Sequence, residues 1–216
     1  MVYIWVYRCN GSGESSEGAE VSSTNCDASV RSGILYVRQI DSPATMNLPP
    51  IWFGRKFEFA FPVEQHPNLC VRLRGTPARL EEIVRGADRG VLVRKPGEKW
   101  SAQEQAGHLL DLEPLWMARV DDYIADVSQL TAADLSNRKT SEAQHNRRPI
   151  EEILAEFRSA RSLLASKVEK IDFALFARTI PHPRLKTPMR LVDHLHFVAE
   201  HDDHHLAHIW NLINDS

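Results

Sequence analysis

Ten histidines occur in the 216-residue chain, and six of them, His194, His196, His201, His204, His205 and His208, fall within fifteen residues. Even scatter would put fewer than one there. Neutral imidazole is a metal ligand, and near pH 7 it is also an acid or base, so this segment is where chemistry is to be sought.

A helix turns about 100° per residue. On a helix, His201 and His205 stack on one face, a turn apart, and their ring nitrogens can meet a single divalent ion. His204 and His208 form a second pair with the same spacing on a neighbouring face. His194 precedes His201 by seven residues and lies about 10.5 Å away along the axis, too far to share its ion. Three protein ligands with open positions are the usual catalytic arrangement, so a third ligand must come from another element. His108, in Gly107-His108-Leu109-Leu110-Asp111, is the candidate. His66, His145 and His182 fall in expected loops. The plainer alternative is a set of surface or core histidines, and for His108 a hydrogen-bonded core histidine. A histidine tag is excluded, because Leu195, Phe197 and Val198 interrupt the cluster in helical register.

The elements that must position these residues read as four helices. Thr76-Pro77 predicts a helix start, with the helix over about 77–87. Ser101-Ala102-Gln103-Glu104 is a capping box opening a helix to about Val127, with Leu109, Leu112, Leu115, Trp116, Tyr123 and Val127 on its apolar face. Pro114 inside it is expected to bend it or shift a hydrogen bond. After Pro149 a third helix runs over about 150–170, with Ile150, Ile153, Leu154, Phe157, Leu163, Leu164 and Val168 in period. Thr187-Pro188 is read as the cap and first position of the fourth, which ends near Ile213 and carries the histidines. The segments 85–99, 128–148 and 171–187 are read as connections, and 46–70 as an irregular lead-in. The fold class is therefore all-α: a four-helix bundle with long connections.

Residues 1–45 differ. Gly11 to Ser32 is rich in Ser, Gly, Glu and Asn and cannot bury enough surface to offset its ordering entropy. The expected organisation is a poorly structured or non-native N-terminal extension over 1–45, with Met46 as the natural start, and a bundle domain over 46–216. Hydrophobic residues make up 43% and the net charge is −3, which fits a globular protein and gives no basic surplus for nucleic acid. No run of 18 apolar residues is present, so no membrane span is expected. Three cysteines, Cys9, Cys26 and Cys70, form no CxxC and point to a reducing cytoplasm.

Trp100-Ser101-x-x-Glu104-x-x-Gly107-His108-Leu109-x-Asp111 resembles the first signature of the DinB-like superfamily, and His201-Asp202-Asp203-His204-His205-Leu206-Ala207-His208-Ile209 resembles its second. The resemblance covers about 70–213. It implies a four-helix bundle holding a divalent metal ion on three histidines, carried over by motif to His108, His201 and His205. His204 and His208 then become neighbours of the ion's ligands, and His208 stands where relatives often have glutamine. Members are often dimers, so a homodimer is expected. Activities known or proposed in the family are S-transfer with a low-molecular-weight thiol, mycothiol-dependent isomerisation and hydrolysis, all on small molecules.

Three neutral imidazoles leave an ion's positive charge available to its remaining ligands: a water shifts toward pKa about 7 on zinc, and a thiol becomes a thiolate. Zinc, nickel, iron and manganese all accept such a set. Asp111, three residues after His108, is the candidate catalytic carboxylate, acting in proton transfer or by hydrogen-bonding a ligand. Glu104 is explained by its capping box, and Asp202 and Asp203 are read as solvated. The expected function is a metal-dependent thiol S-transferase or hydrolase, with a non-catalytic metal-binding or stress-response protein as the alternative. An HD-type phosphohydrolase is discounted because only Asp203 and Asp215 follow His201-Asp202, and a hemerythrin-like di-iron site because only His196 and Glu200 form an HxxxE.

Overall fold

Apolar residues at spacings of three and four set four long helices, and the polar residues among them decide how those helices pack. The structure, a computed structural model, describes residues 49–214. The expected extension over 1–45, and with it Cys9 and Cys26, lies outside the described residues; Cys70 is a buried free thiol.

Helix α1 (His66–Val84) starts with its own proline in the first turn, so Pro77 lies inside the helix rather than at its start. A proline has no N–H for the carbonyl four residues back. That carbonyl, Leu73 O, instead accepts from Arg161 Nη1 at 3.3 Å, and Thr76, expected as a cap, is buried with its hydroxyl donating to Asp202 Oδ2 at 2.8 Å. A short α2 (Arg89–Val93), capped by Asp88, interrupts the segment read as a connection. Helix α3 (Ala102–Ala125) opens on the expected capping box: Glu104 N donates to Ser101 Oγ at 3.1 Å and Ser101 N to Glu104 Oε2 at 2.9 Å. A short α4 (Arg138–Glu142) follows, then α5 (Ile150–Val168). Leu163, assigned to the apolar face of α5, is exposed; it stands about 100° round from the buried Leu164.

Strands β1 (Thr179–Pro181) and β2 (Pro188–Arg190), which the sequence pattern does not announce, pair antiparallel with Ile180 opposite Met189. Both of these side chains are buried, and Tyr123 Oη donates to Met189 O at 2.9 Å. Thr187-Pro188 thus belongs to a hairpin, and α6 (Leu191–Asn214) begins after it, where Asp193 Oδ2 accepts the Arg190 N–H at 2.9 Å.

Helices α5 and α6 each pack against both α1 and α3. Two apolar clusters fill the bundle. One holds Leu80, Leu109, Phe157 and Leu206, the other Leu73, Trp116, Leu164 and Val198. Between the two clusters lies a buried polar layer to which each long helix contributes a residue: Thr76, Glu113, Arg161 and Asp202. Arg161 bonds to both carboxylates, with Nη2 on Glu113 Oε1 at 2.6 Å and on Asp202 Oδ1 at 3.1 Å. Asp202, read as solvated, is completely buried in this layer; Asp203 pairs with Arg72 and Arg79. The lead-in 49–65 holds two 3₁₀ turns, Trp52–Gly54 and Val63–Gln65, and lays its aromatic residues on α6. Among the described residues no helix is long and apolar enough to cross a membrane.

Candidate metal centre

Helix α3 contributes His108 and α6 contributes His201 and His205, and one ring nitrogen from each lies within 4.8 Å of the other two. All three are buried. His201 Nε2 and His205 Nε2 are 3.1 Å apart. Two nitrogens on one ion at tetrahedral angles, with bonds near 2.05 Å, would stand roughly 3.3 Å apart. Burial pushes His108 down to about 4, and burial with the neighbouring imidazoles pushes His201 and His205 well below the ordinary range. All three are therefore neutral at pH 7, with lone pairs free to ligate.

Which nitrogen carries the proton is set by a second layer of groups. His205 Nδ1 donates to Gln105 Oε1 at 2.5 Å, leaving Nε2 bare. His108 Nδ1 stands 3.0 Å from Thr140 Oγ1. The Thr140 hydroxyl donates its only proton to Asp111 Oδ2 at 2.9 Å, so it accepts the His108 Nδ1 proton. His145 Nε2 donates to the same Asp111 oxygen at 2.8 Å. Burial raises the Asp111 pKa, but the bonds from His145 and Thr140 and the Lys139 charge outweigh it and hold the carboxyl below its usual range. Asp111 therefore reaches His108 only through Thr140.

Three of these residues, Gln105, Thr140 and His145, do not stand out in the sequence. Gly107 was the available signal. Glycine inside a helix costs about 1 kcal/mol relative to alanine, so it needs a reason. Here a Cβ would run into the His145 ring. Gln103 Nε2 pins that loop by donating to His145 O and to Arg148 O at 2.8 Å.

The cluster forms one wall of a cavity of about 670 Å³. Trp52, Trp100, Trp116 and Phe197 line it, with His204 and His208 at its α6 side. The Trp52 ring lies 5.0 Å from His201 and 5.6 Å from His204. Glu104 stays in its capping box and pairs with Lys95. His194 is buried against Trp116 and Tyr123, away from the cluster. His196 packs on Phe59 and Phe61, and its neighbour Glu200 pairs with Arg55 and Arg72.

No curated protein matches the chain in sequence. Among solved structures, YfiT from Bacillus subtilis, described as a probable metal-dependent hydrolase with an unusual four-helix bundle topology, is similar with a TM-score of 0.64 at 20% identity, over 73% of this chain and 91% of that one. At that identity the likeness is one of fold. Residues 72–209, from α1 through the histidines of α6, match the DinB superfamily, and the chain belongs to that superfamily.

Proposed function

We propose that the protein is a divalent-metal-dependent enzyme acting on a small molecule, with His108, His201 and His205 as the protein ligands. The observation that carries this reading is the convergence of three neutral imidazoles on one cavity wall, two of them with the proton held on Nδ1 so that Nε2 keeps its lone pair. Such outer hydrogen bonds fix the tautomer and orientation of a ligating histidine. The donor set accepts zinc, nickel, iron or manganese. An ion held there would supply Lewis acidity, acidifying a water or a low-molecular-weight thiol at its open position. Hydrolysis and thiol S-transfer share that requirement. The likeness to YfiT, itself described as a probable metal-dependent hydrolase, supports the hydrolytic branch.

The chain's own residues have distinct parts. Asp111 is a positioning residue: through Thr140 it holds the proton on His108 Nδ1. Gln105 does the same for His205. The indoles of Trp52, Trp100 and Trp116 pack directly beside the histidines and make their surroundings apolar.

Mass-spectrometric metal analysis of the untagged protein tests the reading. One ion per chain is expected, and none in His201→Ala or His205→Ala, while His204→Ala retains it. Unchanged metal content in His205→Ala would remove the ligand assignment. Stoichiometric metal without turnover in thiol-transfer and esterase or amidase assays would leave a non-catalytic metal-binding protein.

A further inference from the structure

Two arginines are buried in the bundle, and they are treated differently. Arg161 holds two carboxylates. Arg119, on α3 one turn past Trp116, is 2% exposed and pairs with no carboxylate among the described residues. Its Nε donates to Thr131 O at 2.9 Å and its guanidinium lies 5.5 Å from the Trp116 ring centroid, which leaves both terminal nitrogens without an acceptor among the described residues. Arg184, from the hairpin loop, lies over Phe53 and Phe197 at 5.3 and 5.7 Å, and its Nη2 is buried without a partner among the same residues. His182, also 2% exposed, accepts the Arg184 and Leu185 N–H groups on Nδ1 at 3.2 and 3.1 Å. Its proton is therefore on Nε2, which is buried and likewise has no acceptor there. All three side chains line the same cavity as His108, His201 and His205.

Donors left without acceptors in the interior are costly, and such a set is stable when a ligand completes it. The carboxylates nearby are already engaged. Asp122 Oδ2 accepts from Thr131 N at 2.6 Å. Asp134, at the cavity rim, accepts from Ser136 N, Ser136 Oγ and Arg138 N. In this lining, Arg184 Nη2, His182 Nε2 and the Trp116 indole N–H are buried without an acceptor among the described residues, and the two terminal nitrogens of Arg119 also have none. A carboxylate offers about four lone-pair sites. Beside the histidines and a few polar residues such as Lys99, Asp134 and Asn137, the wall carries the apolar side chains of Trp52, Phe53, Leu115, Trp116 and Phe197.

We propose that Arg119, Arg184 and His182 form an anion subsite in this cavity, and that the substrate is a small aromatic or apolar carboxylate. This rests on the reading of the cavity as the substrate site; the subsite itself needs no ion on the histidines.

Titration calorimetry on the purified full chain, with 3-phenylpropanoate, its neutral amide and phenyl phosphate as probes, tests it. The carboxylate is expected to bind at least about tenfold tighter than the amide, the scale of a hydrogen bond to a charged group. In Arg184→Gln, a change in a half-buried loop residue, that preference should fall to within about twofold, and Arg119→Lys should weaken it. In His201→Ala, which removes a proposed metal ligand, the preference should persist. Preference lost in His201→Ala but kept in Arg184→Gln would overturn the subsite and leave the metal reading standing. Equal binding of carboxylate and amide, or no binding, would overturn the proposal, and tighter binding of phenyl phosphate would overturn the carboxylate class.

Discussion

Two of the sets of polar side chains buried in the bundle end in opposite states. In the layer of Thr76, Glu113, Arg161 and Asp202, the guanidinium meets two carboxylates and the threonine hydroxyl closes on Asp202; only Glu113 Oε2 lacks a partner among the described residues. Around the cavity, His182 Nε2, Arg184 Nη2, His201 Nδ1 and His204 Nδ1 are all buried and open. The first set is complete within the protein. The second is complete only toward something else. Buried polar groups are normally satisfied, so a concentration of unsatisfied ones beside a cavity marks a site rather than a flaw in packing. The layer serves the site in turn, because Asp202 follows His201 on α6 and ties that helix to α5 and α1.

The sharpest way to separate the two is to cut each. Asp202→Ala leaves Arg161 short of one carboxylate in the interior, and breaking a buried pair costs about 3–5 kcal/mol. Urea unfolding should show that loss with or without added metal. His205→Ala should behave in the reverse sense. Its metal-free loss should be smaller, about 1–3 kcal/mol for the lost bond to Gln105, but the stabilisation by zinc, about 2.7 kcal/mol at a hundredfold excess over Kd, should vanish. If Asp202→Ala lost only the metal-dependent part, the layer would belong to the site and the contrast would fall.

The contrast also separates what can be read in the sequence from what cannot. The capping box at Ser101 is a local device, and it stands where it is expected. The four-helix architecture follows from apolar spacing, and the meeting of His108 with His201 and His205 from spacing joined to the family motifs. Pro77 reads as a helix start because what makes it tolerable inside a helix, Arg161 on the Leu73 carbonyl, comes from another helix. Asp202 reads as solvated for a different reason: it lies four residues from both Val198 and Leu206, on the core stripe, and its charge masks that position. Thr140, His145 and His182 sit in segments that read as connections, where no periodicity says which side chain turns inward. The hairpin escapes because each strand has only three residues.

Smaller changes test how the proposed centre is supported. Thr140→Val removes the link between His108 Nδ1 and Asp111 while keeping the shape of the side chain. Loss of such an outer hydrogen bond typically costs 10- to 100-fold in metal affinity, so competition with a chromophoric chelator should show zinc binding weaker by about that factor. Asp111→Asn should fall in the same range, since the amide can still accept from Thr140 through its oxygen but without charge. Metal affinity unchanged in both variants would mean that Asp111 does not position His108.

Gly107→Ala carries the smallest effect and the most specific one. The alanine gains about 1 kcal/mol of helix propensity, and its methyl group must displace the His145 ring at a cost of about 1–3 kcal/mol, so the net loss should be near 1 kcal/mol. That displacement pulls the donor from Asp111 Oδ2, whose carboxyl then loses a bond that holds its pKa down. The histidine resonances should report it: the His145 Nε2–H signal moves, while the His201 and His205 signals, on α6 and held by other partners, stay. A variant as stable as the parent with His145 unmoved would show that Gly107 is there for some reason other than the approach of that ring.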